Sequence, residues 1–338
     1  MKVWNEIKKT VALARFNTSS MKDDVDRYSY AKEFYRTKTY TKRDQMMLPM
    51  KQRDFEEPYQ VAQSELGGTW NDYNQPFIIQ VGLCNLDCYF CFVPKELRDL
   101  KDETRYEHFT AEEVYAEYLK AHEGKKYGIL RISGGEPFLA PDFIINLANL
   151  INLNNGLGLC TKTFLWIDTN LFGFAYKGVI DKLNSMQSLS YGICGCFKGF
   201  DDEDLRFNIS SGSLDYKIKE GYSLSKQFEN AKKLLRCKNA FFYIPEITKY
   251  TTFKKAANNI YDFHYRMIKE LGFKSPLKIT ILKIKEYSSN KERMHERMNE
   301  RNYNSGMTKK IWNLINESLY NKNLLWLPQY MIKLGEEK

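Results

Sequence analysis

The sequence predicts an α/β protein built on a parallel sheet. Two observations carry this: six short apolar runs between Pro76 and Ile284, and helical segments with capping or amphipathic patterns set between them. Strands that alternate with helices are joined by right-handed crossovers, which makes the sheet parallel. Six such units suit a doubly wound sheet or a partial barrel, and the alternation alone does not choose. At 338 residues, 43% apolar and 28% charged, the chain has enough length for one large α/β domain or two modest ones. With 19 glycines, 9 prolines and 14% aromatic residues, collagen-like, mucin-like and disordered chains are excluded.

The elements follow in order. Val3, Trp4, Ile7, Val11 and Phe16 fall at helical spacing and predict an amphipathic helix lying on the rest of the protein. The segment 1–75 is polar, aromatic and charged residues mix from Tyr28 to Tyr40, and Gly67–Gly68 with Asn71–Asp72 marks a loop. Phe77–Val81 is the first clear strand, apolar enough to be buried on both faces. Thr110 with Glu113 three residues on is a capping box that opens a helix over Ala111–His122. Tyr127–Ile132 is the second strand. A helix from Pro141 to about Leu153 is expected to end at Asn154-Asn155-Gly156, and Thr163–Ile167 is the third strand.

A helix over Lys177–Met186 then precedes a strand over Leu189–Phe197. A helix over Ser225–Leu235 and a strand over Ala240–Ile244 follow, then a helix from about Asn258 to Leu271 and a sixth strand over Lys278–Ile284. Lys291–Arg301 alternates charge and reads as a solvated helical connector, and Thr308–Tyr320 as a terminal helix. Asn321–Met331 packs a Leu-Leu-Trp-Leu cluster. The expected organisation is thus an N-terminal extension over 1–75, largely helical and loop, a core over 76–287 and a C-terminal helical segment over 288–338.

No run reaches the roughly 18 to 20 apolar residues that a membrane span needs. Met1–Phe16 also lacks the apolar region of a secretory signal, so cytoplasmic residence with reduced thiols is expected. The net charge of +9, from 51 basic against 42 acidic residues, leans mildly toward an anionic partner. His108, His122, His264 and His295 share no spacing and read as surface or packing residues.

Cys84-Asn85-Leu86-Asp87-Cys88-Tyr89-Phe90-Cys91 carries the chemistry. Three thiols in eight residues directly after a strand can converge on one face of a loop, where they suit a soft metal or an iron–sulfur cluster. Structural zinc calls for four ligands, commonly in Cys-x2-Cys pairs, and no second pair is present: Cys160 and Cys237 are isolated, and Cys194 and Cys196 are one residue apart. A four-iron cluster held by three cysteines keeps one iron open for catalytic coordination. An odd count in a long chain also speaks against a disulfide scaffold for the seven cysteines.

The Cys-x3-Cys-x2-Cys loop, followed by Gly134-Gly135-Glu136-Pro137 at a strand end, resembles the radical S-adenosylmethionine (radical SAM) superfamily over roughly Pro76–Ile284. The resemblance implies a partial (β/α)6 TIM-like barrel with the N-terminal extension and C-terminal segment added. It implies that Cys84, Cys88 and Cys91 bind a [4Fe-4S] cluster whose open iron takes the amino and carboxylate groups of S-adenosyl-L-methionine. Phe90 resembles the aromatic near the adenine, and Gly134, Gly135 and Glu136 the motif that takes the methionyl ammonium. Glycines let backbone carbonyls approach, and a carboxylate complements a cation.

Asp168 and Asn170 fall where the family places polar groups for the ribose or carboxylate. Lys198 resembles the lysine that some members turn toward the substrate and the cofactor carboxylate. Cys194 and Cys196 are then either small residues leaving room for cofactor or, at Cys196, a thiol able to give a hydrogen atom to a product radical. The Gly-x-Ile-x-Gly-x-x-Glu pattern common near the fifth strand is absent from Phe241–Ile247, and no cysteine follows Cys237 to hold an auxiliary cluster.

The function implied is an oxygen-sensitive radical SAM enzyme that cleaves S-adenosylmethionine reductively and abstracts hydrogen from a substrate. An external donor such as flavodoxin or ferredoxin would supply the electron. A protein or peptide substrate is slightly favoured; RNA, a nucleotide or a small metabolite is the alternative, with the Lys, Arg and Tyr mixture of Tyr28–Arg53 as its feature. A non-catalytic iron–sulfur or zinc protein is the reading of another class.

Overall fold

In this computed structural model, the described residues are 11–14, 58–73, 76–93, 95–99, 106–209, 221–245, 253–272, 279–282, 284, 286, 290–298, 308, 310–312 and 314–315. The chain starts with strand β1 (Val11–Ala14), helices α1 (Pro58–Leu66) and α2 (Trp70–Tyr73), strand β2 (Phe77–Val81), helix α3 (Lys95–Arg98), strand β3 (Tyr106–Phe109) and helix α4 (Ala111–Ala121). It continues with β4 (Tyr127–Gly134), a 3-10 turn at Pro137–Leu139, α5 (Pro141–Leu157), β5 (Lys162–Thr169), α6 (Tyr176–Asn184) and β6 (Ser190–Cys196). The last described elements are α7 (Asp202–Asn208), α8 (Leu224–Leu234), β7 (Ala240–Pro245), α9 (Phe253–Leu271), β8 (Ile279–Leu282) and α10 (Lys291–Met298).

The strand order is β3-β1-β2-β4-β5-β6-β7-β8. From β2 to β8 this is the order of a partial (β/α)6 barrel, with the six expected parallel strands and, among the described residues, no closure. Two elements depart from expectation at the β2 edge. Val11–Ala14 is a strand and not part of a helix: it runs antiparallel to β2, with Leu13 opposite Val81, and to β3, with Val11 opposite Phe109. Its four residues satisfy their backbone groups on two neighbouring strands, which local periodicity does not reveal. The rest of the helix expected at the N-terminus lies outside the described residues, as does Asn321–Met331.

By compactness the chain forms two units: Met1–Asn85 with Val93–Gly195 and Lys233–Phe241, and Leu86–Phe92 with Cys196–Lys232 and Phe242–Lys338. In the first unit, β2, β4, β5 and β6 pair in parallel, with Ile79 opposite Ile132, Leu130 opposite Leu165 and Ile167 opposite Ile193. Helices cover such strands on their faces, so the strands read as continuous apolar runs; all five residues of β2 are buried. Helix α5 buries Phe143, Ile144, Leu147, Ala148 and Ile151 at helical spacing. It also runs four residues past its expected end at Leu153. Asn154 and Asn155 turn their amides to the backbone of Thr161 and Thr163, and Gly158, with φ +65°, closes the helix in the left-handed conformation.

The second unit pairs β7 and β8 in parallel, with Ile244 opposite Ile281. Its core is aromatic: Phe197 lies 5.0 Å from Phe228 and 5.1 Å from Phe263, and Phe263 lies 6.2 Å from Trp312 by ring centroids. Ala256, Ile260, Phe263, Met267 and Leu271 form the buried stripe of α9. Within the expected terminal helix, residues 308, 310–312 and 314–315 are helical. Among the described residues no helix is long and apolar enough to cross a membrane.

Thr110 accepts a hydrogen bond from the Glu113 N–H while Glu113 accepts one from the Thr110 N–H, so the capping box at α4 is complete. Replacing an N-cap threonine costs about 1 kcal/mol. Thr110→Ala is expected to lower the urea midpoint correspondingly with an unchanged m-value; an unmoved midpoint would show that α4 does not depend on its cap.

Candidate active site

Strand β2 leads through Gly82 and Leu83 to Cys84, and the end of β4 closes over that passage. Gly135 donates its N–H to Val81 O at 2.7 Å and Glu136 to Leu83 O at 3.0 Å. A Cβ on Gly135 would stand 2.2 Å from Leu83 O and 2.5 Å from Gly82 O, and Gly134 has φ +98°. Only glycine permits both the contact and the turn. The Cys84 N–H is held by Arg98 O at 3.0 Å.

Glu136 is buried, whereas Gly134 and Gly135 are half-buried. One carboxylate oxygen accepts from Phe138 N at 3.0 Å and from Thr169 Oγ1 at 2.7 Å, and the other from Asn170 N at 2.6 Å. Thr169 also shares a hydrogen bond with the Tyr176 hydroxyl at 2.6 Å, which accepts the Gly173 N–H. Burial pushes the Tyr176 phenol well above its ordinary range and Glu136 adds to the shift, so the Tyr176 hydroxyl stays protonated. The side chain expected to meet an ammonium thus ties the β4 turn to the end of β5, and the outward part of the motif is glycine backbone.

Asn170 donates through Nδ2 to Cys84 Sγ at 3.6 Å and to Asn85 Oδ1 at 2.8 Å, while Asn85 donates to Phe172 O at 2.8 Å. Asn170, expected at the ribose or carboxylate, therefore reaches the first cysteine of the motif. Asp168 is gripped by Arg131, from Nε at 2.9 Å and Nη2 at 2.8 Å, and by Trp166 Nε1 at 2.9 Å. The pair is partly exposed, with side chains 23% and 22% accessible, and so can still face a ligand. Arg131 was not singled out in the sequence, although an arginine inside Tyr127–Ile132 is the only charge of an otherwise apolar strand.

In the second unit Cys88 is buried and Cys91 half-buried, and the Cys91 N–H turns back to Cys88 O at 3.1 Å. Tyr89 packs edge-on to Phe90, with centroids 5.1 Å apart, in a cluster with Phe207, Ile284 and Met294. The Lys198 ammonium lies 5.9 Å from the Phe90 ring. Burial works against the Lys198 charge, but the Cys196, Cys88 and Cys91 thiols raise its pKa above the ordinary lysine value on balance. Lys198 and Cys196 thus stand together beside the two cysteines of the loop. Gln227 fixes both, accepting Lys198 N–H at 3.0 Å and donating to Cys196 O at 3.2 Å.

Arg293 and Asn290 were also missed. Arg293 donates to Cys88 O at 3.2 Å and Cys91 O at 2.9 Å, and Asn290 to Phe90 O at 2.9 Å. The stretch read as a solvated connector is therefore partly inward-facing, with Asn290 and Met294 buried. Its alternating charges hide the inward positions, because arginine and asparagine look the same in sequence whether they face water or a carbonyl. Cys194 is buried; burial pushes the Cys237 thiol up to about 12, which marks a packing residue.

The cysteines are free thiols. Among the described residues no three His, Cys, Asp or Glu side chains gather on one metal-ion position. A four-iron cluster asks for something else, since each thiolate binds a different iron. Cys84 in the first unit, and Cys88 and Cys91 in the second, are each soft, reduced donors of the kind such a cluster takes, with an amide donor at Cys84 and a lysine beside the other two.

Residues 78–189 match the family model described as the Radical SAM superfamily. That segment, about a third of the chain, is similar to a radical SAM domain. Two solved structures are similar: a point mutant of spore photoproduct lyase, at 9% identity and a TM-score of 0.44, and a second point mutant of that protein with dinucleoside spore photoproduct, at 9% and 0.42. Each match covers 72% of this chain and 72% of the other. No curated protein matches the chain.

The contact of Gly135 with Leu83 and Gly82 generates a prediction. Gly135→Ala forces that backbone apart, which is expected to cost about 1–3 kcal/mol and to lower iron uptake on reconstitution. Denaturant unfolding and iron analysis check it; a variant equal to wild type in both would show that the turn has room.

Proposed function

We propose that the protein holds a [4Fe-4S] cluster on Cys84, Cys88 and Cys91 and binds S-adenosyl-L-methionine beside it, to modify a protein or peptide by hydrogen abstraction. The reading is carried by one observation: the cysteine loop leaves β2 packed against the Gly134–Glu136 turn, inside a segment that matches the radical SAM family. When bound, these groups supply an electron and a sulfonium whose reductive cleavage yields methionine and a 5′-deoxyadenosyl radical.

The chain's own residues have separate tasks in this reading. Asn170 donates to the Cys84 sulfur and so favours its thiolate; Lys198 does the same electrostatically for Cys88 and Cys91. Gly134 and Gly135 offer backbone at close range to the methionyl group, and Glu136 holds the turn that presents them. Asp168, oriented by Arg131 and Trp166, offers a fixed carboxylate for a hydroxyl or ammonium. Phe90 sets its ring 5.9 Å from the Lys198 ammonium, and Cys196, beside Lys198, is the thiol that would return a hydrogen atom to a product radical. The electron comes from a flavodoxin or ferredoxin, and the cytoplasm suits reduced thiols and an oxygen-sensitive cluster.

Anaerobic reconstitution followed by dithionite and S-adenosylmethionine tests this. Wild type should release 5′-deoxyadenosine and Cys88→Ala should not; equal amounts from both would overturn the assignment. Iron and sulfide analysis separates the enzyme, with four irons per chain, from a structural module with a single zinc. Salt-dependent binding to an RNA mixture would move the substrate from protein to nucleic acid.

A further inference from the structure

We propose that Arg293 and Asn290 are positioning residues for the cluster, so that helix α10, outside the segment matched by the family model, belongs to the cofactor site. The inference deepens the proposed function and rests on Cys88 and Cys91 being cluster ligands. Three carbonyls of the cysteine loop, at Cys88, Phe90 and Cys91, have donors in one short stretch: Arg293 Nη1 on Cys88 O, Asn290 Nδ2 on Phe90 O, and Arg293 Nη2 on Cys91 O. The loop is neither helix nor strand there; Cys88 O takes the Cys91 N–H within the loop, and the remaining donors come from elsewhere in the chain.

The guanidinium is a rigid planar fork. Bridging the carbonyls of two cysteines with one fork fixes their spacing, and with it the directions in which the two side chains leave the backbone. Asn290 is fully buried and is itself placed by α10, whose Met294 N–H bonds Asn290 O at 2.8 Å. Met294 packs with Tyr89 and Phe207 beneath the same loop. Helix and loop are therefore joined by polar contacts above and apolar contacts below, which gives the fork a defined position.

The fork also brings a permanent positive charge to the backbone of two ligands. A cation near a cluster favours its more reduced, more negative state and so raises its reduction potential. Removing a group that holds a metal ligand in place commonly changes metal affinity by about 10–100-fold.

The test compares wild type, Arg293→Met, Arg293→Lys and Cys88→Ala after anaerobic reconstitution. The readouts are iron retained against a chelator, the cluster's reduction potential, and its electron paramagnetic resonance spectrum. Arg293→Met keeps the packing stem and is expected to hold iron about tenfold more weakly, with a more negative potential. Arg293→Lys is expected to recover the potential but not the retention, because one ammonium does not span two carbonyls. Should the methionine variant fail to fold, the lysine variant decides alone through its iron retention. A clamp that merely stabilises the fold would lower the melting temperature and leave retention and potential as in wild type, which overturns the proposal. Absence of a cluster in wild type would instead overturn the proposed function, and this inference with it.

Discussion

A carboxylate buried as deeply as Glu136 has to be met by donors, because an unpaired charge in the interior costs several kcal/mol. That constraint organises the first unit's share of the site. The donors come from the 3-10 turn after β4 and from Thr169 and Asn170 at the end of β5, so the two strand ends are locked together. Asn170, held by its own N–H on Glu136, is then left to direct its side chain at Cys84 and Asn85. A charge that never meets solvent thus sets where the first cysteine's loop begins.

The second unit meets the same requirement with the signs reversed. Carbonyls of an irregular loop need donors, and Arg293 of α10 and Asn290 just ahead of it supply them. Lys198 adds a further cation beside Cys88 and Cys91. Thiolates gathered at one place repel one another, and fixed cations offset that repulsion at all pH values where the cations stay charged. The sheet and its helices are in this sense a frame for two opposed demands, a buried anion under the glycine turn and cations around the cysteines.

Most elements were legible because each is specified locally. The capping box at Thr110 and Glu113, the apolar run of β2 and the stripe of α9 lie within a few residues of one another in sequence. The errors have the opposite character. Val11–Ala14 is too short for its period to separate strand from helix, and its partners lie at 77–81 and 106–109. The end of α5 was misplaced because Asn154 and Asn155 looked like helix breakers, whereas their amides are satisfied by the backbone of the next strand. In the site, the sequence pointed Glu136 toward an ammonium and gave no sign of its place as an internal anchor.

By itself, the sequence determined the motifs: three thiols at fixed spacing after one strand, and Gly134-Gly135-Glu136-Pro137 at the end of another. Those are statements about residues near one another, and spacing along the chain encodes them. Only the tertiary structure decided who supports them, since Asn170 lies 86 residues from Cys84 and Arg293 lies 205 from Cys88. A hydrogen-bonding side chain carries no mark in sequence of whether its partner is water or a distant carbonyl. The fold makes that choice by bringing the partner to it and excluding the water.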